Sequence, residues 1–170
     1  MGLVQEVFRE ENIQNMNGNI GIGHVRYSTA GGSCEYNTQP LLGFSKGKRI
    51  AIAHNGNLIN NQLLNTRLEE DGMMFQTTID SEVILYLISR YYNGNMLDAV
   101  KKTMDLIKGA YSLVVMLKDK MVAVRDPYGF RPLVMGRRGD DYIFASETGV
   151  IDVLGGEYIR NLEPGEIVIV

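Results

Sequence analysis

Two neighbouring hydrogen-bond donors follow the apolar run of residues 50–53, which is typical of a buried strand. The Asn55 side chain carries an NH2 group, and Gly56 offers a backbone N–H that no side chain hinders. Side by side, these donors could hold the negative oxygen of a tetrahedral intermediate, as in an oxyanion hole. The alternative is structural, because Asn-Gly is also the strongest short-range signal for the type I′ turn of a β-hairpin.

Two charged residues occupy the ends of other predicted elements. Arg26, with Thr29 shortly after it, ends the segment of residues 20–27, and Asp80 begins a predicted helix. A guanidinium binds a carboxylate through two parallel hydrogen bonds, and a carboxylate at a helix N-terminus stays ionised and can bind an ammonium group. Together they could bind both charged groups of a free α-amino acid. Taken singly, Arg26 is better explained by a surface ion pair and Asp80 by helix capping.

The elements that must position these residues form strands, then helices, then strands again. The first strands are predicted at residues 20–27, 39–44 and 49–53, with a hairpin turn across 45–48. Helices are predicted at residues 58–70, 80–91 and 96–107. Further strands are predicted at residues 111–117, 121–125, 133–135, 141–145 and 166–170, with a short helix at 148–154. The first two of these strands are predicted to form an antiparallel hairpin. A type I turn is predicted at residues 126–129, where proline and glycine occupy its second and fourth positions. This order favours an α+β fold over alternating βαβ units.

The composition excludes several classes of protein. A chain of 170 residues fits one domain, and its net charge of −3 provides no basic surface for nucleic acid. There is no membrane-length apolar run and no signal-peptide pattern, so we expect a cytoplasmic protein without a membrane partner. The single cysteine, Cys34, excludes an internal disulfide, and the two histidines lack zinc-ligand spacing. We therefore expect no metal, no iron–sulfur cluster and no other cofactor in this chain.

Three segments carry a combined family pattern. They read GHVRYST from Gly23, HNGNL from His54 and TIDSE from Thr78. In order and spacing they resemble the glutaminase domain of the class II glutamine amidotransferases, which are N-terminal-nucleophile hydrolases. The strings AGG at residues 30–32, DPYGFRPL at 126–133 and ASE at 145–147 are most similar to the amidophosphoribosyltransferase branch of that family. The resemblance covers essentially the whole chain.

The resemblance implies a fold, a reaction and a role for each candidate residue. The implied fold is a four-layer αββα sandwich of two antiparallel sheets. Arg26, assisted by Thr29, would bind the α-carboxylate of glutamine, and Asp80 would bind its α-ammonium group. Asn55 and Gly56 would form the oxyanion hole. Glutamine would be hydrolysed to supply ammonia to a phosphoribosyltransferase domain, for phosphoribosylamine formation in de novo purine synthesis.

The start of the sequence departs from the family pattern. The family's nucleophile is a cysteine at residue one of the mature chain, whose α-amine, with a pKa of about 8, can serve as the base. Met1 and Gly2 cannot do this. We therefore expect residues 1–170 to be a single glutaminase domain, incomplete at both ends and N-terminally truncated, with the pocket but without the nucleophile. Such a domain would be inactive alone, and the alternative function is a non-catalytic glutamine-binding or interaction module.

Two further expectations follow from the truncation. Loss of the first strands would open a sheet edge, so we expect a homo-oligomer of reduced stability. Cys34 could act as a substitute nucleophile with His24 or His54, as in cysteine hydrolases. However, it lies in a glycine-rich loop without an obvious helix N-terminus to lower its pKa. We therefore interpret Cys34 as a bystander.

Overall fold

The computed structural model describes residues 4–26 and 34–170. The helices are α1 (Val4–Val7), α2 (Glu10–Ile13), α3 (Asn61–Glu70), α4 (Asp80–Tyr91), α5 (Met96–Leu106) and α6 (Thr148–Val153), with a 3₁₀ turn at Glu35–Asn37. The strands are β1 (Leu41–Ser45), β2 (Lys48–Leu58), β3 (Gly109–Met116), β4 (Met121–Arg125), β5 (Val134–Arg138), β6 (Asp141–Ala145), β7 (Glu157–Asn161) and β8 (Ile167–Ile169). Within this part of the chain, no helix is long and apolar enough to cross a membrane.

The strands form two antiparallel sheets. The larger sheet has five strands in the order β1-β2-β3-β4-β8, and the smaller has three in the order β6-β5-β7. The hairpins predicted for β1–β2 and β3–β4 are confirmed, with Ser45 opposite Lys48 and Met116 opposite Met121. Every pair of neighbouring strands in these sheets is antiparallel, so the predicted α+β class is confirmed.

Alternation along the strands gives each sheet two packed faces. Val124 of β4 belongs to the large core beneath α3, α4 and α5, whereas the adjacent Ala123 belongs to a second core with Leu133, between the sheets. On the far side of the small sheet, Val134 packs with Ile151 of α6. The layers are therefore helices, sheet, sheet and helix, which is the predicted αββα sandwich.

Strand β2 is longer than predicted, and this decides between the two interpretations of Asn55-Gly56. It spans eleven residues and continues through both of them to Leu58, and from Ala51 to Leu58 it is paired with β3. The type I′ interpretation is therefore wrong at this position. The left-handed pair instead occurs at Lys46 and Gly47, with φ of 49° and 75°, in the two-residue turn between β1 and β2.

Two predictions about strands fail. Residues 20–26 form no strand, and a Cβ added at Gly21 or Gly23 would meet no described atom within 4 Å. Among the described residues, those glycines therefore serve no close backbone approach, and the segment has no regular ladder. Conversely, β7 was not predicted. Its five residues are mostly exposed, so their burial pattern lacks the alternation that identifies a half-buried strand.

Candidate active site

A cavity of about 660 Å³ opens at the end of β2, beside the start of α4. This volume lies within the range of small-molecule sites, which is roughly 300–1,000 Å³. Four of the five predicted site residues line it: Arg26, Asn55, Gly56 and Asp80. The fifth, Thr29, lies outside the described residues. The fold thus brings together side chains that are up to 54 positions apart in the sequence (80 − 26).

The backbone of β2 presents a row of N–H groups along one side of this cavity. Alternation places the N–H groups of His54, Gly56 and Leu58 on the same side of the strand. The His54 N–H donates to Gln39 Oε1 at 2.8 Å, and the Leu58 N–H donates to Asp80 Oδ2 at 2.8 Å. The Gly56 N–H lies between these two, on the side away from β3.

The opposite strand agrees with this orientation. Gly56 pairs with Tyr111, whose carbonyl oxygen accepts the Asp126 N–H at 2.9 Å on the other side of β3. A Cβ added at Gly56, where φ is 155°, would lie 2.0 Å from the Ala110 carbonyl oxygen. Only glycine therefore allows β2 and β3 to approach this closely.

The Asn55 side chain reaches toward the smaller sheet. Its Nδ2 donates to Ser146 Oγ at 3.3 Å, directly after β6. An amide nitrogen carries two N–H groups, so the contact with Ser146 occupies one of them and orients the other. Ser146 and Asn55 both line the cavity. The side chain of residue 55 and the backbone of residue 56 therefore supply two donors at one edge of the cavity.

Asp80 is bound by β2 rather than used as a helix cap. The N-cap position of α4 is Ile79, and no side chain caps the helix there. The Asp80 carboxylate accepts the Leu58 N–H, and its Oδ1 lies 3.3 Å from His54 Nδ1. Burial raises the pKa of Asp80. The hydrogen bonds from the His54 ring and the Leu58 N–H lower this pKa by more than burial raises it, so the net shift is downward. Asp80 is therefore a carboxylate at neutral pH.

Arg26 is tied to the segment that precedes Asp80. Its Nη1 donates to the carbonyl oxygen of Asn37 at 3.3 Å. Asn37 is fully buried, and its side chain pairs with Thr78 twice, through Nδ2 to Oγ1 at 2.9 Å and from the Thr78 N–H to Oδ1 at 3.0 Å. Asn37 therefore joins Arg26 to the segment that immediately precedes Asp80.

Several lining residues were not predicted as site residues. They are His24, Gln39, His54, Ser81, Arg131, Ser146 and Glu147. All of these except Gln39 belong to sequence strings that carry the family pattern, and this was the signal that could have identified them. The pKa of His24 is lowered by burial first and then by His54 and Arg26, so its imidazole is neutral at neutral pH.

A rigid loop presents Arg131 to the cavity. The predicted turn at Asp126 is confirmed by the hydrogen bond from the Gly129 N–H to the Asp126 carbonyl oxygen at 3.0 Å. The fully buried Asp126 carboxylate also accepts the backbone N–H groups of Tyr128, Phe130 and Arg131, at 3.0 to 3.1 Å. The loop is therefore anchored from inside by one side chain, and its last residue lines the site.

Cys34 lies away from this set. It immediately precedes the 3₁₀ turn at Glu35–Asn37, and it is not among the described residues that line the cavity. No thiol therefore belongs to the described lining.

The chain is similar to known glutamine amidotransferase proteins. A family model described as a glutamine amidotransferase domain matches residues 24–152. Relatives named amidophosphoribosyltransferase include those of Methanothermobacter thermautotrophicus, 48% identical over 169 residues, and Bacillus subtilis, 44% identical over 170 residues. The alignments cover 98% and 99% of this chain but 36% of each relative. The chain thus spans about a third of the length of these relatives.

Solved structures are similar over the same region. One, described as the allosteric regulatory enzyme of purine biosynthesis, has a TM-score of 0.81 and 46% identity, covering 86% of this chain and 32% of that one. Another is the glutamine phosphoribosylpyrophosphate amidotransferase of B. subtilis complexed with ADP and GMP. It has a TM-score of 0.79 and 42% identity, covering 86% of this chain and 31% of that one.

Proposed function

Because the chain belongs to the glutamine amidotransferase domain family, we propose that it is the glutaminase part of an amidophosphoribosyltransferase. In this proposal it binds glutamine and releases its amide nitrogen as ammonia, for phosphoribosylamine formation in de novo purine synthesis. The observation that carries the proposal is the gathering of Arg26, Asn55, Gly56 and Asp80 around one cavity of substrate size.

Substrate binding uses the two charged residues. The Arg26 guanidinium binds the α-carboxylate of glutamine through paired hydrogen bonds, and Thr29 assists it. The Asp80 carboxylate binds the α-ammonium group, for which its lowered pKa is suited. Opposite charges at two points of the cavity orient a free α-amino acid, so its side-chain amide is directed toward the end of β2.

Hydrolysis proceeds by acyl transfer. A thiolate adds to the amide carbon, and the carbonyl oxygen becomes an oxyanion that accepts hydrogen bonds from Asn55 Nδ2 and the Gly56 N–H. The proton that the thiol gave up to its α-amine base then passes to the nitrogen as the C–N bond breaks, and the nitrogen leaves as ammonia. Water adds to the resulting thioester through a second oxyanion, which releases glutamate and the thiol.

The nucleophile is not Cys34 in this proposal. The described lining of the cavity contains no thiol, and the family resemblance implies a cysteine with a free α-amine as its own base. We expect the 170 residues alone to show no glutaminase activity, and a form extended upstream to such a cysteine to be active. Release of glutamate from glutamine, measured for both forms, tests this.

The outcomes are distinct. Activity in the 170-residue chain would contradict the assignment of the nucleophile, and its loss in the Cys34→Ser variant would identify Cys34 as the thiol. Absence of activity in both forms, together with absence of glutamine binding by calorimetry, would contradict the proposed function itself.

A second candidate function is a non-catalytic glutamine-binding module, and the absence of a thiol from the described lining favours it. The two candidates share the binding residues and differ only in the source of a nucleophile. Glutamine binding without hydrolysis by both forms of the chain would support the second.

The remaining parts of the proposal concern the whole protein. The ammonia acceptor would be a phosphoribosyltransferase domain, in keeping with the names of the relatives and the third of their length that this chain spans. The single-domain extent, the homo-oligomeric state, the absence of a cofactor and the cytoplasmic location remain predictions.

A further inference from the structure

A buried histidine contacts the carboxylate assigned to the ammonium group, and this inference rests on the proposed function. We propose that His54 is a positioning residue for Asp80. Its Nδ1–H holds the carboxylate in the orientation that binds the α-ammonium group of glutamine. His54 itself does not contact the substrate in this role.

The contacts around the carboxylate come from three residues. Oδ2 of Asp80 accepts the Leu58 N–H at 2.8 Å, and Oδ1 lies 3.3 Å from His54 Nδ1. The backbone N–H of Ser81 also donates to this carboxylate. A carboxylate only accepts hydrogen bonds, so the tautomer with a proton on Nδ1 is the favourable one. Ser81 Oγ, 3.0 Å from the same nitrogen, shares this donor. Because each oxygen has a donor, rotation of the Asp80 carboxylate would break a hydrogen bond.

The His54 ring is itself held in place. Its residue is only 3% exposed, in the interior of β2. Its backbone N–H donates to Gln39 Oε1 at 2.8 Å, and its carbonyl oxygen accepts Gln39 Nε2 at 3.3 Å. The Gln39 amide therefore continues the β1–β2 ladder past the end of β1, which fixes the backbone from which the ring projects.

The other ring nitrogen argues against a packing role. With the proton on Nδ1, Nε2 is an acceptor, and it is buried without a hydrogen-bond partner among the described residues. A buried acceptor without a donor destabilises the folded state. An apolar side chain of similar size would fill this space without that cost, so the contact made by Nδ1 is the specific contribution of the imidazole.

A matched pair of variants tests the role of Nδ1. Asn and Leu have nearly the same shape, but the Asn amide nitrogen is two bonds from Cβ, as Nδ1 is in histidine. We expect His54→Asn to bind glutamine as the original chain does. We expect His54→Leu to bind it about ten-fold more weakly, since it lacks a hydrogen bond to a charged group.

Comparison of glutamine with glutaramate tests the binding of the α-ammonium group alone. Glutaramate is glutamine without its α-amino group, so it does not use Asp80. We expect His54→Leu to leave glutaramate binding unchanged, and calorimetry on the 170-residue chain measures both ligands. His54→Gln, whose amide is one bond further from Cβ, is a second variant that should lose affinity for glutamine only. It replaces His54→Leu if the latter does not fold by circular dichroism.

The failures can be told apart. Equal weakening of both ligands would indicate a general structural effect and would overturn the positioning role. Unchanged glutamine binding in His54→Leu and His54→Gln would also overturn it, and so would a loss of affinity in His54→Asn as large as in His54→Leu. If neither the original chain nor the form extended upstream binds either ligand, the proposed function itself fails, and the role of His54 fails with it. If only the extended form binds, the same variants are compared in that form.

Discussion

The Asp80 carboxylate combines a local and a tertiary role. It is the first residue of α4, where the helix dipole favours negative charge, yet its side chain contacts His54 and the Leu58 N–H of β2. The hydrogen bonds from His54 and Leu58 outweigh the effect of burial and lower its pKa. A group whose pKa is lower in the folded state stabilises that state when it is ionised. Asp80 should therefore contribute to stability as well as to binding.

Asp80→Asn should make the domain less stable at neutral pH by about 1.5–3 kcal/mol, because it removes hydrogen bonds to a charged acceptor. The sign of the pH dependence follows from the lowered pKa. The contribution is complete above the unfolded value near 3.8 and is lost as pH falls through the lower folded value. The difference between variant and original chain should therefore vanish in strong acid. Urea unfolding across pH measures it.

Asp119→Asn is the matched control, since Asp119 is exposed in the turn between β3 and β4. We expect its stability to follow that of the original chain at every pH. A constant deficit for Asp80→Asn that persists in strong acid would contradict the role of the ionised carboxylate.

Strand β2 carries most of the candidate site, and its pairing with β3 depends on two glycines. Gly56 and Gly109 have φ of 155° and 148°. A Cβ at Gly109 would lie 2.2 Å from the Asn57 carbonyl oxygen, much as one at Gly56 would meet Ala110. The backbones of β2 and β3 therefore meet where side chains are missing, and the geometry of the candidate oxyanion hole depends on this approach.

Gly56→Ala should destabilise the domain by about 3 kcal/mol or more, because the added methyl group meets backbone that cannot rotate away. Gly47→Ala is the control. It also lies at positive φ, 75°, but in open space at the β1–β2 turn, so it should cost only about 1–2 kcal/mol. Urea unfolding compares the two, and equal effects would contradict a close approach at Gly56.

In the part of the chain that the structure describes, three apolar cores lie between the four layers, and one face of β1 is exposed. β1 is an edge strand of the large sheet as described, and its Leu42 and Phe44 are 59% and 66% exposed. An apolar edge strand with free backbone groups is a template for pairing with another chain. This edge is therefore where the predicted homo-oligomer would form.

The double variant Leu42→Lys, Phe44→Lys should convert an oligomer into a monomer, because two charges on the edge strand oppose pairing. Light scattering coupled to size-exclusion chromatography measures the mass of each form. Val153→Lys, at an exposed apolar residue of α6, is the control and should leave the mass unchanged. A monomeric original chain would contradict the prediction.

Part of the candidate site could be predicted from residue types and their order alone. The types and order of Arg26, Asn55-Gly56 and Asp80 predicted a site for an amino acid with an oxyanion hole, and these residues line one cavity. The family pattern identified the amidotransferase domain, and the comparisons confirm that membership. The roles assigned to the individual residues remain predictions. The contribution of His54 was missed because a histidine inside an apolar strand is indistinguishable by sequence from one that only packs.

The sequence by itself determined the helices α3 to α5 and the hairpins β1–β2 and β3–β4, because apolar periodicity and turn residues are local signals. The tertiary structure decided the rest. It made Asn55-Gly56 part of a strand, because pairing with β3 outweighs the turn preference of these two residues. The hairpin turn with two positive φ angles occurs at Lys46-Gly47 instead. It left residues 20–26 without a strand, because a strand requires a partner that local sequence cannot specify. It also joined Asp80 to β2, since contacts between distant segments exist only after the layers have packed.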